Sequence, residues 1–443
     1  MASEGVGVGL VGFGTIGAGV AKVLIQNADV IEARLGFPLR LTRIADLDLD
    51  TDRGIDVSGI RFDADGQGLL ADPEVDIVIE LVGGYDFARK LCLDAIGNGK
   101  HVVTANKALL AVHGDEIFAA ARDAKVDVAF EAAVAGGIPV LRAIREGLAA
   151  NRIVSVYGIL NGTTNFVLTE MERTGADFEV VLKQAQELGY AEADPTFDVE
   201  GVDAAHKLAL LTSMAFGSTL DFKSIPTEGI RGLLPLDFEA ADEAGYRIKL
   251  LGIAKGRTEA NGEEVIESRV HPTLIPKDSL LANVGGAMNA VAVRGDAVGP
   301  TLYYGAGAGE MPTASAVVGD LMEIAREIHR GSSRRVAPLG TPEASLKTKA
   351  LRNLGDLVSR YYVRIEAVDR PGVLARIAGA LGEHGVGIES ITQRAAETGE
   401  ASVPVILWTH EVKESAVRDA LADIDALVDV TERSSLIRIE EDL

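Results

Sequence analysis

The chain has 443 residues, 47% hydrophobic and 25% charged, a composition that belongs to a globular protein too long for one ordinary domain. A formal net charge of −23 disfavours nucleic acid and anionic membrane surfaces as partners, and no apolar run approaches the ~20 residues of a bilayer span. A single cysteine, Cys92, excludes internal disulfides and cysteine-built metal sites; with no N-terminal basic-then-apolar signal, this points to the cytoplasm.

Taken in chain order, Gly5–Val11 reads as an apolar strand running straight into Gly12-Phe13-Gly14-Thr15-Ile16-Gly17. A GxGxxG run that follows a strand and opens a helix is the dinucleotide fingerprint: the glycines permit a tight turn and close approach to a pyrophosphate, which the helix N-terminus attracts. The first helix is expected to continue through Ile31–Leu35. A second strand, Leu39–Asp46, then ends in an acid placed for the ribose hydroxyls. Asp46 beside Ala45 leans towards NAD or dual use, with Arg43 and Arg53 as the cations available to a 2′-phosphate. Further strand–helix units follow: Val75–Leu81 with Asp86–Gly97, His101–Thr104 with Ala108–Ala124, and the strand Val126–Glu131. Their alternation predicts an α/β, Rossmann-type parallel sheet over residues 1–140, with ligands gathered beyond the strand carboxyl ends. Thr104, Lys107 and the stretch Glu131–Pro139 lie at such ends, which marks Lys107 as a functional candidate.

Residues 141–304 read as an α+β domain whose sheet covers the open face of the first. Its strands are Arg152–Leu160, Ile248–Thr258, Glu264–His271, Met288–Val293 and Val298–Gly305; its helices include Asn165–Arg173 and Phe178–Leu188. In the turn Asn161–Thr164, N–H groups and hydroxyls, that of Thr163 included, suit a substrate carboxylate. The stretch Glu187–Gly217 is the most informative in the chain. It gathers Glu192, Asp194, Asp198, Glu200 and Asp203 ahead of a helix in which only His206 and Lys207 interrupt apolar residues. Lys207 follows Asp203 by four positions and shares its helix face. A charge pair at the mouth of a buried helix, facing an acidic loop, suits a substrate with an ammonium group and a hydroxyl whose proton must move. A second glycine-rich turn, Gly305–Gly309, opens a helix to about His329 that returns to the nucleotide domain, over 305–330.

In this order the segments GFGTIG, TANKALL, EAAVAGGIP, GILNGTTNF, LGYAEADPTFDVEGVDAAHKLALL and YYGAGAGEMPTASAV resemble homoserine dehydrogenases. The resemblance implies interconversion of L-homoserine and L-aspartate 4-semialdehyde with NAD(P), in threonine, methionine and isoleucine biosynthesis. It implies Lys207 as acid/base, Glu192 and Asp203 on the substrate, and Lys107 between substrate and cofactor. Phe13, Thr15, Ile16, Gly189 and Gly309 would line the cofactor. A structural monovalent cation, sodium by expectation, would take Glu131 and the backbone of Val134, Gly136 and Ile138. In chemical terms, Glu192 with Asp194 or Asp198 pairs the ammonium while Lys207 exchanges the hydroxyl proton. Asp203 favours the ammonium form of Lys207, which suits proton donation in the reductive direction.

Residues 331–350, rich in Gly, Ser, Pro and charge, read as a linker. Residues 351–443 then give the order βαββαβ: strand Ser359–Val368, helix Gly372–His384, strands Gly387–Gln393 and Ala401–Trp408, helix Lys413–Ile424, strand Val428–Ile439. This ferredoxin-like order resembles the ACT domain. The resemblance implies side-by-side pairing, hence a homodimer or homotetramer, and an amino-acid effector, threonine, at Asp369, Gly372, Val373, Leu374, Gly387 and Ile388. A semialdehyde dehydrogenase is excluded because Cys92 lies within a helix. The remaining alternative is a catalytically silent amino-acid sensor, against which Lys107 and Lys207 both argue. No kinase-like segment precedes residue 1, so a fused aspartokinase is not expected.

Overall fold

The computed structural model describes residues 5–219, 221–259, 261–393 and 402–443. Parallel strands β1 (Val6–Val11), β2 (Leu39–Ala45), β3 (Arg61–Asp63), β4 (Ile77–Glu80), β5 (His101–Thr104) and β6 (Val128–Ala129) form a six-stranded sheet in the order β3-β2-β1-β4-β5-β6. Strand order reverses between β1 and β4, which opens a crevice beyond their carboxyl ends. Both are buried along their whole length, as continuous apolar strands between two helical layers must be. The helix Glu310–His329 packs on the fingerprint helix Thr15–Gln26, and Lys22 pairs with Glu310 at 2.7 Å.

Several expected elements differ. The first helix does not run on: it stops at Asn27, and Ala28–Leu35 forms a separate helix capped by left-handed Gly36. Strand β3 and the helix Gly66–Ala71 are elements that the sequence reading did not assign. The strand expected over Val126–Glu131 keeps only Val128–Ala129, because Glu131–Ala133 coils into a 3-10 turn.

The second sheet begins with β7 (Ile153–Ile159), β8 (Tyr246–Thr258), β9 (Glu264–Pro276), β10 (Met288–Gly295) and β11 (Gly299–Ala306), running β11-β10-β7-β8-β9. It does not itself cover the nucleotide domain. The helix Val202–Phe216 lies across β7, β8 and β9 and packs on the helix Lys107–Ala124 of the first domain, so one apolar core runs through both. The helix Pro235–Glu243 was not anticipated; Pro235 stands in its first turn and Asp237 accepts from the Leu234 N–H at 2.8 Å.

The expected linker is a strap. Leu339 is buried, Arg335 pairs with Glu146 at 2.7 Å, and β12 (Ala350–Leu351) adds in parallel to β9. Next come β13 (Val358–Ser359), β14 (Tyr361–Ala367), β15 (Ile388–Gln393), β16 (Val403–Thr409), β17 (Val412–Lys413) and β18 (Ser435–Ile439), with helices Val373–Glu383 and Glu414–Asp425. The expected strand start at Ala401 lies outside the described residues. The final strand is shorter than expected: Val428 is exposed, while Asp429 turns inward to the guanidinium groups of Arg370 and Arg376. β18 pairs with β9 through Arg438↔Thr273 and Ile439↔Leu274, fusing both modules into one 10-stranded sheet. Among the described residues no helix is long and apolar enough to cross a membrane.

Candidate active site

The fingerprint turn sits at the crevice. Gly12 has φ +96°, and a Cβ there would meet the Leu81 carbonyl carbon at 2.6 Å, so the turn needs glycine. Around Gly14, by contrast, the space is open, and a cleft of about 620 Å³ extends from Gly12 and Gly14 past Asp46, Gln67 and Val82. Thr15, Ile16 and Gly17 open the helix, and the Phe13 ring is buried against Phe62. Asp46 accepts hydrogen bonds from the N–H groups of Phe13 and Asp48. Arg43 is not available to a phosphate: it is buried under Asp63, Asp65 and Asp72. Arg53 donates to the carbonyls of Phe13, Thr51 and Asp48. Thr104, also buried, donates to Glu80 at 2.6 Å.

Lys107 begins its helix just past the end of β5 and reaches Asp203 Oδ1 at 3.3 Å. Asp203 Oδ2 meets Lys207 Nζ at 2.6 Å, and Lys207 also donates to the Leu160 carbonyl at 2.7 Å. The i,i+4 pair read from the sequence is thus a buried contact that joins the two domains through one carboxylate. Burial alone would raise the Asp203 carboxyl, but Lys207 and Lys107 reverse this and hold it well below the usual carboxylate range.

Asn161 was not singled out from the sequence. Its Oδ1 caps the helix Gly162–Thr174 at the Thr164 N–H, and its Nδ2 donates to Asp198 at 2.7 Å and Asp203 at 2.8 Å. An asparagine before a helix signals a cap; nothing local signals two distant acids. Burial, then the Asp203 charge, raises the Asp198 carboxyl. His206 is buried between Phe197 and Phe222, and burial lowers its imidazole to about 4.

Other candidates stand apart. Glu192 and Asp194 are exposed on the acidic loop, outside the Asn161–Asp198–Asp203 cluster. Thr163 donates to the Tyr190 carbonyl at 2.5 Å. Gly189, just after the helix Phe178–Glu187, and Gly309, just before the helix Glu310–His329, are exposed and lie outside the cleft lining described above. The Glu131 carboxylate is buried and accepts from the N–H groups of Leu141 and Arg142, each at 2.8 Å. The effector candidates divide. Asp369 meets Gln393 at the far end of β15, with Gly372, Val373 and Leu374 following it, whereas Gly387 and Ile388 lie at the start of that strand.

With this geometry in view, residues 12–131 match the NAD-binding domain of homoserine dehydrogenase, residues 139–322 match homoserine dehydrogenase, and residues 361–429 match the ACT domain. A homoserine dehydrogenase of Pseudomonas aeruginosa is 52% identical over 434 residues and one of Neisseria gonorrhoeae 48% over 435, each alignment covering 98% of both chains. The crystal structure of a homoserine dehydrogenase from Thiobacillus denitrificans has a TM-score of 0.91 at 50% identity, covering 99% of both chains. Likeness of this extent along nearly the whole chain means that it belongs to the homoserine dehydrogenase family, NAD(P)-dependent oxidoreductases that act on a CH–OH group.

Proposed function

We propose that this chain interconverts L-homoserine and L-aspartate 4-semialdehyde, with Lys207 moving the proton of the primary hydroxyl. The observation that carries the assignment of roles is the chain Lys207–Asp203–Lys107, in which a catalytic-domain carboxylate lies between two lysines at 2.6 and 3.3 Å. Lys107 stands on the nucleotide side and Lys207 on the substrate side, so a small amino alcohol held there would lie between them. Asp198 and Asp203, oriented by Asn161, present negative charge to its ammonium group. Glu192 completes that grip only if its loop folds inward. When bound, the nicotinamide supplies hydride exchange at the hydroxyl-bearing carbon. Lys207, ion-paired and hydrogen-bonded to Leu160, donates its proton to the developing alkoxide in the reductive direction and takes it back in the other.

The fingerprint turn and its open cleft fit a dinucleotide. Asp46 just past the end of β2, with Arg43 buried under acids and Arg53 donating to backbone carbonyls, favours NAD over NADP. Sodium at Glu131 is supported by the carbonyls of Val134 and Gly136, which no hydrogen-bond donor among the described residues meets. Idle carbonyls beside a buried carboxylate suit a hard cation, which would hold the loop and neutralise charge. The Ile138 carbonyl is less free, since it accepts from Val140 at 2.8 Å. The C-terminal module serves threonine feedback, its effector bound between paired modules in a homodimer or homotetramer; the separation of Asp369–Leu374 from Gly387–Ile388 within one chain favours such a shared site. Initial rates of homoserine oxidation with NAD and with NADP, each with and without threonine, test these points. A protein inert towards homoserine with both cofactors would end the substrate assignment, and rates indifferent to threonine would end the feedback reading.

A further inference from the structure

Asn289, on β10, is fully buried, and neither Nδ2 nor Oδ1 of its amide has a hydrogen-bond partner. A primary amide offers two donor hydrogens and a two-lone-pair acceptor, so this is a complete failure of satisfaction where protein interiors rarely tolerate even a partial one. Both atoms are closed off from water. Leucine has nearly the same shape and no such needs, so a fold with only packing to satisfy has no use for an amide here.

The surroundings give the amide a purpose. Asn289 pairs with Gly305 on β11, and Gly307 lies against it so closely that a Cβ there would sit 2.0 Å from Asn289 Cγ. On the other side, a Cβ on Gly162 would be 3.5 Å from Asn289 Oδ1. The amide is therefore wedged between two loops. One, Asn161–Thr164, starts the helix whose cap residue orients Asp198 and Asp203. The other, Gly305–Gly309, starts the helix that packs on the dinucleotide fingerprint helix.

We propose that Asn289 is a positioning residue for the dehydrogenase reaction: its amide cross-links these two loops when cofactor and substrate draw them together. Oδ1 accepts a backbone N–H from the substrate-side turn, and Nδ2 donates to a backbone carbonyl of the glycine-rich loop. The link fixes the distance between the acid–lysine cluster and the nicotinamide side without touching either ligand. This rests on the substrate assignment above.

The test compares the full-length parent with Asn289→Leu and Asn289→Ala, reading kcat, KM for homoserine, and melting temperature with and without NAD plus homoserine. Asn289→Leu exchanges the unpaired amide for a bulkier branch against Gly307, so without ligands it is expected to melt within a few degrees of the parent. Its kcat is expected to fall roughly 10- to 100-fold with KM changed less than about threefold, and its ligand-induced rise in melting temperature to shrink. If Asn289→Leu does not fold, Asn289→Ala is judged by the same kcat, KM and ligand-shift criteria. Overturning results are a kcat within about twofold of the parent with an unchanged ligand-induced rise, a loss of rate that only tracks loss of folded protein, or failure of both variants to fold. An active parent with silent variants sinks this inference alone; a parent inert towards homoserine sinks the substrate assignment and this inference with it.

Discussion

Replacing Lys207 by methionine separates its catalytic role from its structural one, because the two losses have different sizes and different remedies. Methionine keeps the length and apolar stem but removes the donor to Asp203 Oδ2 at 2.6 Å and to the Leu160 carbonyl at 2.7 Å. Breaking a buried ion pair from one side usually costs about 3–5 kcal/mol. Here Asp203 keeps Lys107 at 3.3 Å and Asn161 at 2.8 Å, so the lower end, about 3 kcal/mol, is expected. Loss of a positioned acid/base should lower kcat by about 10²–10⁴-fold with little change in KM. Adding Asp203→Asn removes the buried carboxylate charge, now paired with Lys107 alone, and should return part of that stability, about 1 kcal/mol. It should return none of the turnover. The assay pairs initial rates at the nicotinamide absorbance band with thermal melts of the parent, Lys207→Met, and the double variant. Near-parental turnover in Lys207→Met, or turnover that recovers along with stability in the double variant, would refute the acid/base role.

Asp46→Ala removes the acid at the ribose position, an ionic hydrogen bond of about 1.5–3 kcal/mol. The NAD-over-NADP ratio of kcat/KM should fall by about 10-fold or more, and an unchanged ratio would place the discrimination elsewhere. His206 is neutral when buried, with its imidazole lowered to about 4 against about 6.5 unfolded, so its contribution is present above the unfolded value and lost as pH falls. By pH 5 that loss is roughly 2 kcal/mol; His206→Phe, which suits the Phe197–Phe222 sandwich, should lose less stability than the parent between pH 7.5 and 5, whereas parallel losses would count against it. Arg438→Met strands Glu414, which is fully buried, and should cost about 3–5 kcal/mol, seen as a clear drop in melting temperature; an unchanged melt would mean that Arg418 suffices.

What was legible in the sequence was local. The strand–turn–helix of the fingerprint is carried by adjacent residues, and the Asp203–Lys207 pair by helix periodicity, so both could be read without knowing what packs around them. The βαββαβ order of the C-terminal module followed from alternating patterns within it. What failed was non-local. Arg43 read as available to a phosphate, but Asp63, Asp65 and Asp72 close over it. Asn161 and Asn289 carry no pattern of their own; only the tertiary structure shows that the first has two acids to hold and the second has nothing. Gly331–Lys347 has the composition of a free linker, yet burial of Leu339, the Arg335–Glu146 ion pair and the Arg334 N–H bond to Asp127 hold it down.

The junction of the two modules gives the feedback reading a physical route. β18 meets β9 over only two residue pairs, a short seam for so large a sheet, and Arg438 reinforces it by bonding both Glu414 and Glu228. Glu228 belongs to the catalytic half. Its neighbour Gly229 lies so close to the Val199 carbonyl that a Cβ would sit 2.4 Å away, and the Ile230 N–H donates to the same carbonyl at 2.9 Å. Val199 directly follows Asp198, and after Gly201 the chain enters the helix that carries Asp203 and Lys207. A shift of β18 relative to β9 would thus reach, through Glu228 and Val199, Asp198 and the helix that carries Asp203 and Lys207. Contiguity alone does not make a switch: feedback through this route also needs an element with two stable arrangements, and the seam of two residue pairs, with its Arg438 ion pairs, is where the modules join.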